Sequence, residues 1–176
     1  VGGLIGYNEN GKVDRSYVAG NVSSVGNISY GGVGGLIGYN YGEVNQPYFV
    51  GNVSNVGDVI NGGVGGLVGK GGSISQSYAT GNVSSVGDVS WAGVGGLVGY
   101  HYYGTIDQCY ATGNVNSFGN VSGHEYNGAG VGGLVGVNSQ KIDQSYATGN
   151  VSSVGDVSWA GVGGLVGYNN HDGKVD

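Results

Sequence analysis

Three histidines, one cysteine, scattered serines and a few carboxylates are the residues in this chain with the makings of acid–base, nucleophilic or metal chemistry. His101, His124 and His171 each fall in a stretch that varies between copies of a repeat, and none has a second ligand at fixed spacing, as a zinc site would need. They read as loop residues. No histidine stands repeatedly beside a serine, so no nucleophile–base pair can be built. Cys109 is the sole cysteine and cannot close an internal disulfide, so stacking must hold the fold instead. The segment V-G-G-L-V-G invites a phosphate-loop reading, but no Lys-Ser/Thr follows it and no helix can start after it. The chain therefore reads as a non-enzyme without a cofactor.

Two polar rows are more informative. Asp58, Asp88 and Asp156 alternate with Asn27 and Asn120 directly after a glycine. Stacked carboxylates repel one another, and Ca²⁺ would relieve this, which makes Asp58 and Asp88 the calcium candidates; a solvated turn is the plainer reading, since calcium wants about six oxygens. Six N-x-Ser/Thr sequons begin at Asn21, Asn27, Asn52, Asn82, Asn120 and Asn150. Asn21, Asn52, Asn82, Asn114 and Asn150 share one position of the repeat, where a glycan on every copy would be crowded. That row reads as an asparagine ladder, its amides bonding to one another or to turn backbone. Asn27 and Asn120 stand apart at an exposed turn and are the first glycosylation candidates, ahead of Asn21, Asn52, Asn82 and Asn150.

Elements that would position these rows follow from self-similarity. V-G-G-L-(V/I)-G begins at Val1, Val33, Val64, Val94, Val131 and Val162, at spacings of 32, 31, 30, 37 and 31 residues. The added length falls in Ser122–Gly130 and His101–Thr105, which read as loops. Positions that stay apolar in every copy should face a shared interior. Four such columns are expected inside: Val13 with Val44, Ile74, Ile106 and Ile142; Val22 with Val53, Val83, Val115 and Val151; Val25 with Val56, Val86, Phe118 and Val154; and Ile28 with Val59, Val89, Val121 and Val157. Between the first two, alternation puts Ser77 and Ala79 inward and Tyr78 and Thr80 outward. An external tyrosine ladder follows: Tyr17, Tyr48, Tyr78, Tyr110 and Tyr146.

The expected architecture is all-β: one parallel, right-handed β-helix over residues 1–176, about 30 residues per coil, with three short strands per coil. Forty-three glycines disfavour helix, while a single proline, Pro47, and the lack of a G-X-Y period exclude collagen. The two ends are copies of one another without a capping sequence, so the chain reads as a window on a longer array or as a subunit that stacks end to end. Further aromatic rows are Tyr7, Tyr39, Tyr100 and Tyr168, and Tyr30, Trp91 and Trp159; they either buttress the stack or grip surface glycans. An ice-binding threonine array is incomplete, because Thr80, Thr112 and Thr148 give way to Ala19 and Val50.

Gly95-Gly96-Leu97-Val98-Gly99-Tyr100, together with Ile142 to Val151, resembles the GLUG repeat of large microbial surface proteins, and the pattern recurs over nearly the whole chain. The resemblance implies a cell-surface or adhesin-like array. Some immunoglobulin-cleaving metalloproteases carry such repeats outside their catalytic part, but no H-E-x-x-H is present here. Lys70, Val137 and Asn116 depart from the pattern at single positions. With a net charge of −6 and five scattered cations there is no nucleic-acid footprint, and no stretch is apolar enough to insert in a membrane. The expected function is structural and extracellular: an adhesin stalk, filament or envelope segment, alternatively a self-assembling fibre subunit or a polysaccharide-binding module.

Overall fold

A computed structural model describes residues 1–176 as a parallel β-solenoid of about six coils with about 31 residues per turn and no helix. The coil beginning at Gly63 is typical. Its strands are Gly63–Gly65, Val68–Gly71, Ile74–Ser75, Tyr78–Thr80, Val83–Val86 and Val89–Ser90. The expected three strands per coil are thus six shorter ones, because turns at Leu67, Gly72, Gln76, Gly81, Gly87 and Trp91 break each stretch after two to four residues. Each strand stacks on its equivalents into one of six sheets, all parallel and in register: Val53 lies over Val22 and under Val83, and Ile74 lies between Val44 and Ile106.

Two corner columns adopt left-handed backbone without glycine. Gln46, Gln76, Gln108 and Gln144 have φ of 58°, 49°, 52° and 44°, and Tyr30, Asn61, Trp91 and Trp159 lie between 50° and 59°. Such conformations are strained for residues with a Cβ. Glycine takes other corners, as at Gly51, Gly81 and Gly87 with φ of 148°, 119° and 124°, and elsewhere serves close approach. At Gly69, Gly99 and Gly136 a Cβ would run into the backbone of the neighbouring Gly-Val-Gly strand, so the two glycine-rich sheets lie almost backbone to backbone.

The core is continuous through the middle coils. The anchor column is buried throughout and the Val53 and Val59 columns are buried in the middle coils, with Ile28 and Val151 half-buried and Val157 exposed in the outer ones; Ser77 and Ala79 are buried as alternation requires. The column of Val25, Val56, Val86, Phe118 and Val154 is not inside: its members are 86%, 49%, 42%, 50% and 60% exposed. Side chains alternate along a strand, so residues three apart face opposite ways, and Val83 facing in sends Val86 out. The inward position of that strand is Asn55, Ser85 or Ser117, all fully buried. The interior gains instead from the glycine-rich segment, where Val64, Leu67 and Val68 and their equivalents Val94, Leu97 and Val98 are completely covered.

Candidate functional site

Repetition turns single side chains into rows, and the rows form directed hydrogen-bond chains. In the asparagine row, the Asn52 N–H donates to Asn21 Oδ1, Asn82 to Asn52, Asn114 to Asn82 and Asn150 to Asn114, each at 2.9 Å. The second turn row does the same. Asp58 N–H donates to Asn27 Oδ1 at 2.9 Å, Asp88 to Asp58 at 3.0 Å, Asn120 to Asp88 at 2.8 Å and Asp156 to Asn120 at 3.0 Å. Every bond runs one way, from the backbone of one coil to the side chain of the coil before it. Asp58 and Asp88 thus each commit one carboxylate oxygen to a turn amide, and no group of three or more His, Cys, Asp or Glu side chains gathers anywhere that could hold a metal ion. Asn21, Asn27, Asn52, Asn82, Asn120 and Asn150 are all exposed, and all but Asn150 have their side-chain oxygen engaged by a turn amide of the next coil.

On the adjacent face the tyrosine row is a true stack. Tyr17, Tyr48, Tyr78, Tyr110 and Tyr146 lie with ring centroids 5.1, 4.9, 4.8 and 5.2 Å apart and planes within 8°. At the next corner Gln46 donates to Gln76 at 2.8 Å and Gln76 to Gln108 at 3.2 Å. Strand spacing alone enforces both rows, since identical residues in parallel register fall about 4.8 Å apart.

One site breaks the repetition. Lys70 replaces tyrosine in the column of Tyr7, Tyr39, Tyr100 and Tyr168, and its ammonium lies 5.7, 5.2 and 5.5 Å from the ring centres of Tyr39, Tyr100 and Tyr102 while donating to Asn61 O at 2.7 Å. A cation over aromatic faces is attracted by the ring quadrupole. Burial lowers the Lys70 pKa from its ordinary value. Tyr41, Tyr102 and Tyr103, from the loops that follow this column, complete the cluster. Tyr39 OH donates to Tyr41 OH at 2.9 Å, Tyr102 OH to Tyr39 OH at 3.2 Å, and Tyr103 OH to Asn40 O at 2.7 Å. Burial pushes the Tyr103 hydroxyl up to about 12 and raises that of Tyr102 as well, so both stay protonated donors at physiological pH. Tyr41, Tyr102 and Tyr103 fall in loops of unequal length, which is why no column in the sequence flagged them.

A buried polar column also escaped the sequence reading. Asn8, Asn40, His101 and Asn138 end equivalent strands and are almost or wholly buried, Gly71 taking their place in the coil between Asn40 and His101. Asn8 donates to Asn40 at 2.7 Å, Asn138 donates to Asn169 at 2.8 Å, and Asn40 and Asn138 donate to the carbonyls of Gly42 and Gln140 that close the following turn. His101 is therefore not a loop residue: it is the last residue of strand Val98–His101, and its Nδ1 lies 2.7 Å from Asn138 Oδ1. Because Asn138 uses its amide nitrogen elsewhere, Nδ1–H must be the donor, and the bare Nε2 has no protein partner. Burial lowers the His101 pKa below its usual value. The G-Y-N pattern at Gly38-Tyr39-Asn40, repeated as G-Y-H at Gly99-Tyr100-His101, was the available signal. His124 and His171 are exposed in turns. Cys109 is buried, its Sγ 3.1 Å from Asp107 O, and burial pushes its thiol up to about 12.

Among known families, the GLUG motif matches residues 1–23, 92–116 and 127–152. No curated protein and no solved structure matches the chain. Each matched stretch includes a Gly-Gly-Leu-(Val/Ile)-Gly segment of the glycine-rich sheets, and together they reach from the first coil to the fifth. The chain thus carries the GLUG motif at three places, consistent with a GLUG repeat array.

Proposed function

We propose that this chain is a non-catalytic, load-bearing segment of an extracellular or cell-surface array, such as an adhesin stalk, a filament or an envelope layer, with its coils wound in the right-handed sense that parallel crossovers favour. The observation that carries the reading is the unbroken register of all six sheets, reinforced outside by the asparagine, aspartate, glutamine and tyrosine rows. Such a molecule shares tension among parallel backbone ladders on every side. The thiol that would be the strongest nucleophile is neutral and buried, which supports a mechanical role over a chemical one. Exposed sequons at Asn27 and Asn120 suit glycosylation in a host that performs it. Surface shaving of intact source cells with a protease tests the localisation: release of peptides from this chain supports the reading, and their recovery only after lysis sinks it.

A second reading rests on the one-way turn rows. The Asn21 and Asn27 amides at one end donate no such bond, and the Asn150 and Asp156 side chains at the other accept none. The two end faces are therefore complementary in register, and a further coil fits there, whether from a continuing array or from a second copy in a self-assembling fibre. Electron micrographs of purified protein separate the two: indefinite fibres favour assembly, and discrete rods remove it.

A further inference from the structure

Four cavities on the solenoid surface share walls. The first, about 350 Å³, lies among Tyr7, Tyr30, Tyr39 and Tyr41 over the backbone of Gly31 and Gly32. Tyr7 and Tyr41 also bound the second, about 310 Å³, which adds Glu9 and Asn10. Asn10 and Tyr41 pass into the third, about 360 Å³, whose Lys12, Glu43 and Ser73 also line the fourth, about 470 Å³, ending at Thr105 and Asp107. Their order makes a single furrow, aromatic at one end and polar at the other.

Its chemistry restricts what fits. At the aromatic end Tyr7 and Tyr39 stack at 5.4 Å with planes 8° apart, and Tyr41 stands across them, 63° from Tyr7, which leaves flat ring faces and hydroxyls in one corner. Tyr7 and Tyr41 are 59% and 43% exposed although each has aromatic neighbours. Along the polar end the side chains of Asn10, Glu43, Thr105 and Asp107 bond to no other protein group, whereas Asn45 and Ser75 between them are tied to each other at 2.9 Å. An extended peptide would need a sheet edge, but strands Glu43–Asn45, Ile74–Ser75 and Thr105–Asp107 along the polar end are bonded to the coils on both sides, and only Lys12–Asp14 is outermost. Carboxylates at Glu9, Glu43 and Asp107 repel nucleic acid and acidic polymers, and the polar half offers nothing to a lipid tail.

We propose that the furrow from Tyr30 to Asp107 is a binding groove for a neutral chain of β-linked, gluco-configured pyranoses. In such sugars the substituents lie equatorially, so each ring shows an apolar C–H face to an aromatic side chain and a rim of hydroxyls to carboxylates, amides and hydroxyls. One sugar rests in the Tyr7–Tyr30–Tyr41 corner, and the following units bond to the free side chains of Asn10, Glu43, Thr105 and Asp107. Apolar walls with a few free polar groups are the usual make-up of small-molecule sites, and aromatic rings with a polar tip suit ligands that are part apolar, part wet. The site is independent of the load-bearing role, which concerns the ladders and not this furrow.

Calorimetric titration of the whole chain with cellohexaose and with chitohexaose tests it, with polygalacturonate as the polyanionic control. Saturable binding of at least one hexasaccharide is expected, with none of polygalacturonate. Tyr41→Ala and, separately, Tyr7→Ala should each weaken binding about tenfold, the usual weight of an aromatic contact. Tyr7 is the more exposed of the two, so its variant reads out even should Tyr41→Ala fail to fold. Glu43→Gln with Asp107→Asn should weaken binding further, while Tyr78→Ala, on the ladder face, should leave it unchanged. Absence of binding to both sugars at millimolar concentration overturns the assignment, as does equal binding of polygalacturonate, or loss through Tyr78→Ala with Tyr7→Ala and Tyr41→Ala silent.

Discussion

Gly99 and Gly6 occupy the same position of the repeat, yet their surroundings differ completely. A Cβ on Gly99 would strike the backbone of Gly63, Val64 and Gly69, whereas one on Gly6 would meet nothing within 4 Å. Neither has left-handed backbone, so the contrast isolates packing from conformational freedom. Gly99→Ala should destabilise the protein by about 1–3 kcal/mol or more, the usual penalty of forcing atoms into a filled interior, and Gly6→Ala should be neutral in the same urea titration. Equal effects would mean that the glycine-rich sheets are not in close contact. His101 supplies a second residue-scale test. The folded state lowers its pKa below the ordinary 6.5, so the unfolded chain binds a proton that the folded one resists. Stability is therefore complete above about pH 6.5 and declines as pH falls from there toward the depressed folded value. His101→Asn restores the residue used at Asn40 and Asn138 and should abolish that decline, leaving only the acid loss from carboxylates such as Asp14, whose pKa its hydrogen bond from Asn45 lowers below 3.8. Melting temperatures across pH 7 to 5 decide it: an unchanged slope in the variant would remove His101 as the cause.

Rows of identical side chains act as elements in their own right. Asn82→Ala removes the acceptor that holds the Asn114 amide, and should lower stability by about 0.5–1.5 kcal/mol, the net worth of one such bond. Asn82→Asp should cost less, because Asp58 and Asp88 already hold the neighbouring turn row through the same oxygen. If alanine and aspartate prove equally damaging in chemical denaturation, the row acts through something other than this bond. These elements were legible in sequence to the extent that register alone defines them: a position kept as Asn or Tyr in every coil must stack, and Ile74 must lie over Ile106. Where two rules competed, the weaker one misled. Apolar identity argued that Val86 faces inward, but strand parity from Val83 sends it out and puts Ser85 in the interior instead. Glycine density hid Val64 and Leu67, two of the most buried positions, which none of the four apolar columns included. The furrow was invisible for another reason: Tyr41, Asn10, Ser73 and Asp107 come from four coils, and only the winding brings them along one path.

Across the whole molecule, stability must be graded along the axis, because a solenoid coil draws its burial from two neighbours and an outermost coil has only one. Equivalent residues show it directly. Val83 and Val89 are completely buried in the middle, while Val157 is 44% exposed and Val151 only half-buried in the last full coil; at the opposite end Leu4 is 49% exposed where Leu67 is fully covered. The last coil also lacks donors from beyond it for its turn rows, since Asn150 and Asp156 donate backward but their side-chain oxygens receive nothing. Hydrogen exchange of the 176-residue chain should therefore show strands Val83–Val86 and Val89–Ser90 as the slowest and Val151–Val154 and Val157–Ser158 opening orders of magnitude faster, although the sequences V-S-S-V-G-D-V-S are identical. Identity of sequence makes the comparison clean: intrinsic exchange rates cancel, and only position in the stack differs. Raising protein concentration adds a second reading. If end faces pair in register, protection at Val151–Ser158 should climb with concentration toward that of Val83–Ser90, and a gradient that stays fixed at every concentration would mean the ends do not meet. Uniform protection along the axis in dilute solution would overturn the graded picture, because it would require the outer coils to unfold only together with the core.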